Sequence, residues 1–174
     1  HYLLGLPDKW TKSKKWPVIV IWQGRNSNFE SIGNNYFRIS RGLPFIIVVP
    51  MSISNTSDYL KKKSRYTFYS DSILSAFETW ELEKKLDFDL QGLEKIIGDL
   101  SKQFNSEKKI YLTGFSAGGK PMWEYVFRNS KGIHVVSAVC ASYHGNAEFV
   151  EQNANPSLLI VNFQGRKDKY KDGF

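Results

Sequence analysis

The sequence predicts an α/β protein with a mostly parallel central sheet flanked by helices in three layers. Nearly continuous β-branched runs at residues 17–22 and 44–50 indicate strands that are buried on both faces. Between residues 90 and 104, apolar side chains recur at steps of three and four, which indicates an amphipathic helix. Strand-like and helix-like segments alternate along the chain, and this alternation predicts parallel strands joined by crossover helices.

The predicted elements in the first half begin with a short apolar strand at residues 2–4, followed by the strand at residues 17–22. A weak helix is expected over residues 29–41. The strand at residues 44–50 is bracketed by prolines, which cannot donate hydrogen bonds inside a sheet. Residues 51–80 are polar and aromatic without a firm period, so they predict an irregular segment. Such a segment either borders a binding cleft or packs through its aromatic side chains alone.

The predicted elements in the second half continue the alternation. Asp87 or Asp89 is expected to cap the start of the helix whose apolar stripe covers residues 90–104. A strand over residues 108–114 leads into a second helix. Two further strands are expected at residues 133–142 and 156–163.

Composition limits the classes of function. The formal net charge is +7, and basic residues cluster at residues 61–65 and 167–171. No aromatic-interleaved basic helix, zinc-ligand spacing or RNA-binding signature accompanies the charge, which therefore favours a lysine-rich solvated surface over a nucleic-acid site. The single cysteine, Cys140, excludes an internal disulfide framework and is predicted to be a small buried side chain. No apolar run reaches the length of a membrane span.

The strongest chemical signal is the pattern Gly-x-Ser-x-Gly, which reads GFSAG at residues 114–118. Between a strand and a helix, this pattern places the serine at the apex of a cramped bend, where flanking glycines leave room for the backbone. The hydroxyl then stands at the carboxyl edge of the sheet, and the helix start offers free N–H groups to developing negative charge. Because the motif follows an apolar strand and opens a helix, Ser116 is predicted to be a nucleophile.

With these motifs the chain resembles the α/β-hydrolases, and within them the esterase and polyhydroxybutyrate-depolymerase-like branch that includes feruloyl and acetyl-xylan esterases. The resemblance rests on WQGR at residues 22–25, GFSAGG at residues 114–119 and GRKD at residues 165–168. It implies one α/β-hydrolase domain over residues 1–174. That domain is expected to be incomplete at the C-terminus, where the last strand and helix of the fold are missing, and completeness at the N-terminus stays open.

The resemblance also implies roles for individual residues. Ser116 attacks the ester carbonyl, while Asp168 orients the general base and stabilises its charged form. The main-chain N–H groups of Ala117 and Arg25 form the oxyanion hole, with Gly24 on the same loop.

The general base departs from the family pattern, because no histidine follows Asp168. Either the histidine lies on a segment missing from a fragment, or the chain is a natural departure such as an inactive relative. His144, just past a predicted strand, is a candidate for contact with substrate or catalytic groups, although an ordinary loop histidine is the simpler interpretation. Gln23 replaces the histidine that usually precedes the oxyanion glycine, and it is expected to line the site.

The sequence therefore predicts a serine hydrolase that cleaves carboxylic esters through an acyl-enzyme, without a metal or cofactor. Its expected partner is a small-molecule or polymeric ester, with no nucleic acid. A peptidase of the same fold and an inactive hydrolase-fold binding protein are the alternatives. Relatives of this kind are often exported, so a secreted or periplasmic location is expected, with a cytoplasmic one as the alternative.

Overall fold

The computed structural model describes residues 1–25, 29–55, 69–143, 145 and 147–168. Its strands are β1 (Tyr2–Gly5), β2 (Trp16–Trp22), β3 (Ile46–Pro50), β4 (Ser106–Phe115), β5 (Ile133–Val139) and β6 (Leu159–Phe163). Its helices are α1 (Phe29–Ile39), α2 (Asp71–Thr79), α3 (Leu82–Gln103), α4 (Gly119–Arg128) and α5 (Ala147–Asn153). None of the helices in these ranges is long and apolar enough to cross a membrane.

The strands form one sheet in the order β1-β3-β2-β4-β5-β6. β1 runs antiparallel to β3, and the other neighbouring strands are parallel, which confirms the predicted mostly parallel sheet. In the central pair, Val20 of β2 aligns with Leu112 of β4, and Trp22 aligns with Gly114. The carboxyl ends of the parallel strands therefore meet at one edge of the sheet, where open α/β sheets form their sites.

Side chains of the central strands alternate between the two faces of the sheet. Val18, Val20 and Trp22 pack with α3 and α4 on one face. Ile19 and Ile21 pack with α1 and α2 on the other face. Because helices cover both faces, neither set of side chains needs to be polar, and the strand reads as a continuous apolar run. The three predicted layers are confirmed.

The helices differ from the predicted pattern in three places. Residues 51–80 were expected to be irregular, yet α2 occupies residues 71–79, while residues 56–68 lie outside the described part of the chain. Only Leu74 and Phe77 of α2 are buried, and two side chains are too few to reveal a helical period. The short helix α5 was not predicted either. The third difference is the start of α3, where Glu81 occupies the N-cap position, so the prediction of an aspartate cap is wrong.

The edge strand β6 differs from the strands at the centre of the sheet. All five of its residues are exposed, whereas all five residues of β3 are buried. Leu159 and Phe163 have exposed fractions of 59% and 56%. The strand predicted at residues 156–163 is present as β6, but it does not share the burial of the other apolar runs.

Candidate active site

Ser116 occupies the bend between β4 and α4 that the motif predicts. It directly follows the last strand residue, opens a single turn of 3₁₀-helix over Ser116–Gly118, and is exposed to solvent. Its φ angle is 51°, in the left-handed region that residues with a Cβ atom disfavour. Such strain costs about 1–3 kcal/mol and persists where the surrounding structure enforces it, which is typical of functional positions.

Two glycines make this bend possible. A Cβ atom on Gly114 would lie 2.8 Å from the carbonyl oxygen of Gly118. A Cβ atom on Gly118 would collide with the carbonyl oxygen of Trp22 and lie 2.6 Å from that of Gln23. These separations are shorter than normal van der Waals contact, so neither position tolerates a side chain without backbone movement. The bend therefore packs directly against the end of β2, from which residues 23–25 continue.

A cleft of about 570 Å³ opens beside Ser116 at the carboxyl edge of the sheet. Its walls come from the ends of four parallel strands, from the bend itself and from the start of α3. The lining residues are Arg25, Ser54, Asn55, Trp80, Glu81, Leu82, Lys85, Ser116, Ala117, Lys120, Cys140 and Ser142. The volume falls within the range of small-molecule sites, which are commonly about 300–1,000 Å³.

The structure brings together three of the residues singled out from the sequence, because Ser116, Ala117 and Arg25 line the same cleft. Gly24 is buried, and a Cβ atom there would lie 2.8 Å from the ring of Phe115, so this loop also packs closely against the end of β4. The Gln23 side chain, expected to line the site, is buried and is not among the lining residues.

Asp168 lies apart from this group. It follows β6, is half-buried, and its main-chain N–H donates to the carbonyl oxygen of Gly165 at 3.0 Å. β5 separates β6 from β4 in the sheet, and Asp168 does not line the cleft. Its predicted role as the acid of a triad stays a prediction.

Neither described histidine lies at the cleft. His134 is the second residue of β5, and its Nε2 is 3.4 Å from Oε2 of Glu107. His1 packs its ring edge-on against Tyr69. His144, the internal candidate, falls outside the described residues.

A buried carboxylate supports the loop that follows β3. Asp89 of α3 is 6% exposed, and its Oδ2 accepts hydrogen bonds from Ser52 Oγ at 2.6 Å and from the main-chain N–H of Ser54 at 2.9 Å. The main-chain N–H of Ile53 donates to Oδ1 at 3.0 Å. Burial raises the pKa of Asp89, because desolvation disfavours the charged form, and these donors offset part of that effect. We call Asp89 with Ser52, Ile53 and Ser54 the Asp89 brace.

The next residue of the same loop reaches the end of β2. Asn55 is buried, and its Nδ2 donates to the carbonyl oxygen of Gln23 at 2.7 Å. The Asp89 brace, Asn55 and the loop at residues 23–25 thus form a continuous series of contacts from α3 to the edge of the cleft.

Sequence reasoning missed several of these residues, although a signal existed for some. Asp89 lies three residues after Leu86 and four before Leu93, both buried, so its position on the apolar face marked it as an internal carboxylate. Ser54 and Asn55 follow a parallel strand directly, which is where site residues are expected. Glu81, Leu82 and Lys85, at the start of α3, also line the cleft, and no sequence pattern indicated that they would.

Cys140 also differs from its prediction. It was expected to be a small buried side chain, but it is half-buried, lines the cleft and has a φ angle of 48°. Its main-chain N–H donates to the carbonyl oxygen of Phe163 at 2.8 Å, which fixes the chain just beyond β5 in this turned conformation.

Several solved hydrolase structures share this fold. A thermostable esterase matches with a TM-score of 0.61 and 19% identity, over 97% of this chain and 43% of the esterase. A proposed dienelactone hydrolase from Klebsiella pneumoniae matches with a TM-score of 0.59 and 13% identity, over 98% of this chain and 88% of that protein. An epoxide hydrolase from Vigna radiata matches with a TM-score of 0.52 and 10% identity, over 91% of this chain and 39% of the enzyme. No protein-family model matches the sequence, and no curated protein matches it.

The chain therefore has the α/β-hydrolase fold. It spans less than half the length of the thermostable esterase. The three proteins are named for different classes of substrate, and their identities to this chain are 19% or lower, so the likeness concerns the fold.

Proposed function

We propose that this chain carries the nucleophile of a serine hydrolase that cleaves carboxylic esters through an acyl-enzyme. The observation that carries the proposal is Ser116: an exposed hydroxyl at a strained strand-to-helix bend, on a cleft that Ala117 and Arg25 also line. The fold shared with hydrolases supports the same class of reaction. The choice of an ester bond rests on the resemblance of the three sequence stretches.

In the proposed reaction, Ser116 Oγ attacks the ester carbonyl while a histidine removes its proton. The main-chain N–H groups of Ala117 and Arg25 stabilise the negative charge that forms on the carbonyl oxygen; removing one such donor typically costs about 100- to 1,000-fold in rate. The histidine returns the proton to the leaving alcohol, and water then hydrolyses the acyl-enzyme. We assign Asp168 to orient that histidine, which comes either from His144 or from polypeptide outside these 174 residues.

One residue of the cleft favours an ester that carries a phenolic or sugar ring. Trp80 lines it, and its ring packs against Phe77 and Phe88 at centroid distances of 4.9 and 5.8 Å. Aromatic side chains fixed in this way favour stacking with phenolic or sugar rings.

The test uses the product of the complete gene and an active-site-directed fluorophosphonate. Labelling at Ser116, identified by peptide mass spectrometry, is expected for the wild type and absent in Ser116→Ala. Ser142→Ala is the matched control, because Ser142 is a second serine on the same cleft and its loss should leave labelling intact. A folded wild-type protein that does not label would favour the non-catalytic binding protein.

The kind of bond that the protein cleaves is tested with a matched pair of substrates. A 4-nitrophenyl ester and a 4-nitroanilide with the same acyl group differ only in the leaving group. Faster turnover of the ester, lost in Ser116→Ala, supports an esterase, whereas efficient cleavage of the anilide supports the peptidase alternative.

A further inference from the structure

The Asp89 brace holds a buried loop through a buried carboxyl group. Burying a carboxylate disfavours its charged form, and no lysine or arginine among the described residues forms an ion pair with Asp89. The compensation comes from one hydroxyl and two main-chain N–H groups within three consecutive residues of the loop. Such an arrangement specifies one conformation of residues 52–54, because any other conformation leaves the buried carboxylate without its donors.

The brace fixes the residue that follows it. Asn55 extends from the held loop into the gap between the ends of β3 and β2, where its Nδ2 meets the carbonyl oxygen of Gln23 at 2.7 Å. On its other side the same carbonyl lies against Gly118, since a Cβ atom there would be 2.6 Å from it. The Gln23 carbonyl is therefore held between a side-chain donor and the bend that carries Ser116.

A peptide plane fixed at its carbonyl is also fixed at the N–H of the next residue, because the peptide bond is planar. The plane that contains the Gln23 carbonyl contains the Gly24 N–H, and the chain turns at Arg25 into the cleft. Rotation of this plane would move the main chain at Arg25, which the proposed function assigns as an oxyanion donor.

We propose that Asn55 is a positioning residue that orients the oxyanion loop at residues 23–25 through the Gln23 carbonyl, with the Asp89 brace holding Asn55 in place. This inference rests on the proposed function and adds to it a residue that touches neither the predicted nucleophile nor the predicted acid. Its effect falls on the transition state, where the oxyanion forms, and not on binding of the uncharged ester.

The test compares Asn55→Ala and Asn55→Asp with the wild type in the product of the complete gene. Asn55→Asp preserves volume but replaces the donor with an acceptor that repels the Gln23 carbonyl. Asn153→Ala is the matched control, because Asn153 also donates through Nδ2 to a main-chain carbonyl, that of Phe149, but lies on α5 and does not line the cleft. We expect kcat for a neutral 4-nitrophenyl ester to fall about 10- to 100-fold in both Asn55 variants, with KM within threefold.

A second measurement separates positioning from a general loss of structure. A trifluoromethyl ketone forms a hemiketal oxyanion on the serine, so its affinity should fall in parallel with kcat, while Asn153→Ala leaves both unchanged. Folded Asn55 variants with wild-type kcat and ketone affinity would overturn the inference but not the proposed function. A folded wild type that neither labels at Ser116 nor hydrolyses esters overturns the proposed function, and the oxyanion role of Asn55 with it.

Discussion

The carboxyl edge of the sheet has two halves that are built differently. In the Ser116 half, at the ends of β2, β3 and β4, buried polar contacts and close glycine packing fix the loops around Ser116. In the Asp168 half, at the end of β6, all five strand residues are exposed, and the main-chain N–H of Asp168 donates within a local turn to the carbonyl oxygen of Gly165. Strands that are buried on both faces hold the loops at their ends in one geometry. Among the described residues, the strands that end near Ser116 are buried in this way, whereas β6 is exposed.

The largest expected effect comes from breaking the packing of the Ser116 half. Gly118→Ala places a methyl group against the carbonyl oxygens of Trp22 and Gln23, so the bend and the end of β2 must separate. We expect the rate of Ser116 labelling to fall about 100-fold. Urea unfolding should show a loss of about 1–3 kcal/mol in the free energy of unfolding.

Gly98→Ala is the matched control for this substitution. Gly98 lies inside α3, and apart from its chain neighbours and the backbone of its own helix, no atom lies within 4 Å of a Cβ atom built there. Alanine in a helix interior should raise the free energy of unfolding by about 0.5–1 kcal/mol and leave labelling unchanged. Wild-type labelling by Gly118→Ala would mean that the bend does not depend on its contact with β2.

The second prediction compares how much a buried side chain of β3 and an exposed side chain of β6 contribute to stability. Ile46→Ala in β3 removes a fully buried side chain and should cost about 2–5 kcal/mol. Ile160→Ala in β6 removes a side chain that is 47% exposed and should cost about 1 kcal/mol or less. Urea unfolding of the 174-residue chain compares the two. Equal losses would show that β6 is covered in solution, and repeating the pair in the complete gene product tests whether further polypeptide covers it.

The smallest expected effect concerns the Asp89 brace and pH. Burial raises the pKa of Asp89 above its ordinary value of 3.8, so the folded state keeps the proton to a higher pH than the unfolded chain does. The stability contributed by the neutral form is present below about pH 3.8 and is lost as pH rises through the folded pKa.

Asp89→Asn cannot titrate and serves as the reference. The free energy of unfolding of the wild type, minus that of the variant, should fall as pH rises through this window. Chemical denaturation at several pH values measures the difference. A constant difference would show that Asp89 titrates alike in the folded and unfolded chain.

Prediction from sequence succeeded where one local pattern decided the outcome. The runs that became β2 and β3 are apolar because helices cover both faces, and the bend at Ser116 follows from the spacing of Gly114 and Gly118. Prediction failed where an element is too short to show a period, as in α2, or where an interaction joins distant parts of the chain. The hydrogen bond that Ser52 Oγ donates to Asp89 spans 37 residues, and no local pattern encodes such a contact.

The backbone angle at Ser116 has a consequence for how this protein would respond to selection. Ser116→Gly removes the methylene that makes a φ of 51° unfavourable, so it should relax the fold while deleting the hydroxyl. A library of variants screened only for heat tolerance would therefore be enriched in sequences that lack the hydroxyl at position 116. At position 116, the most stable residue and the residue that carries a hydroxyl are therefore different. Substitutions that raise stability would have to be made at other positions, for example along α3.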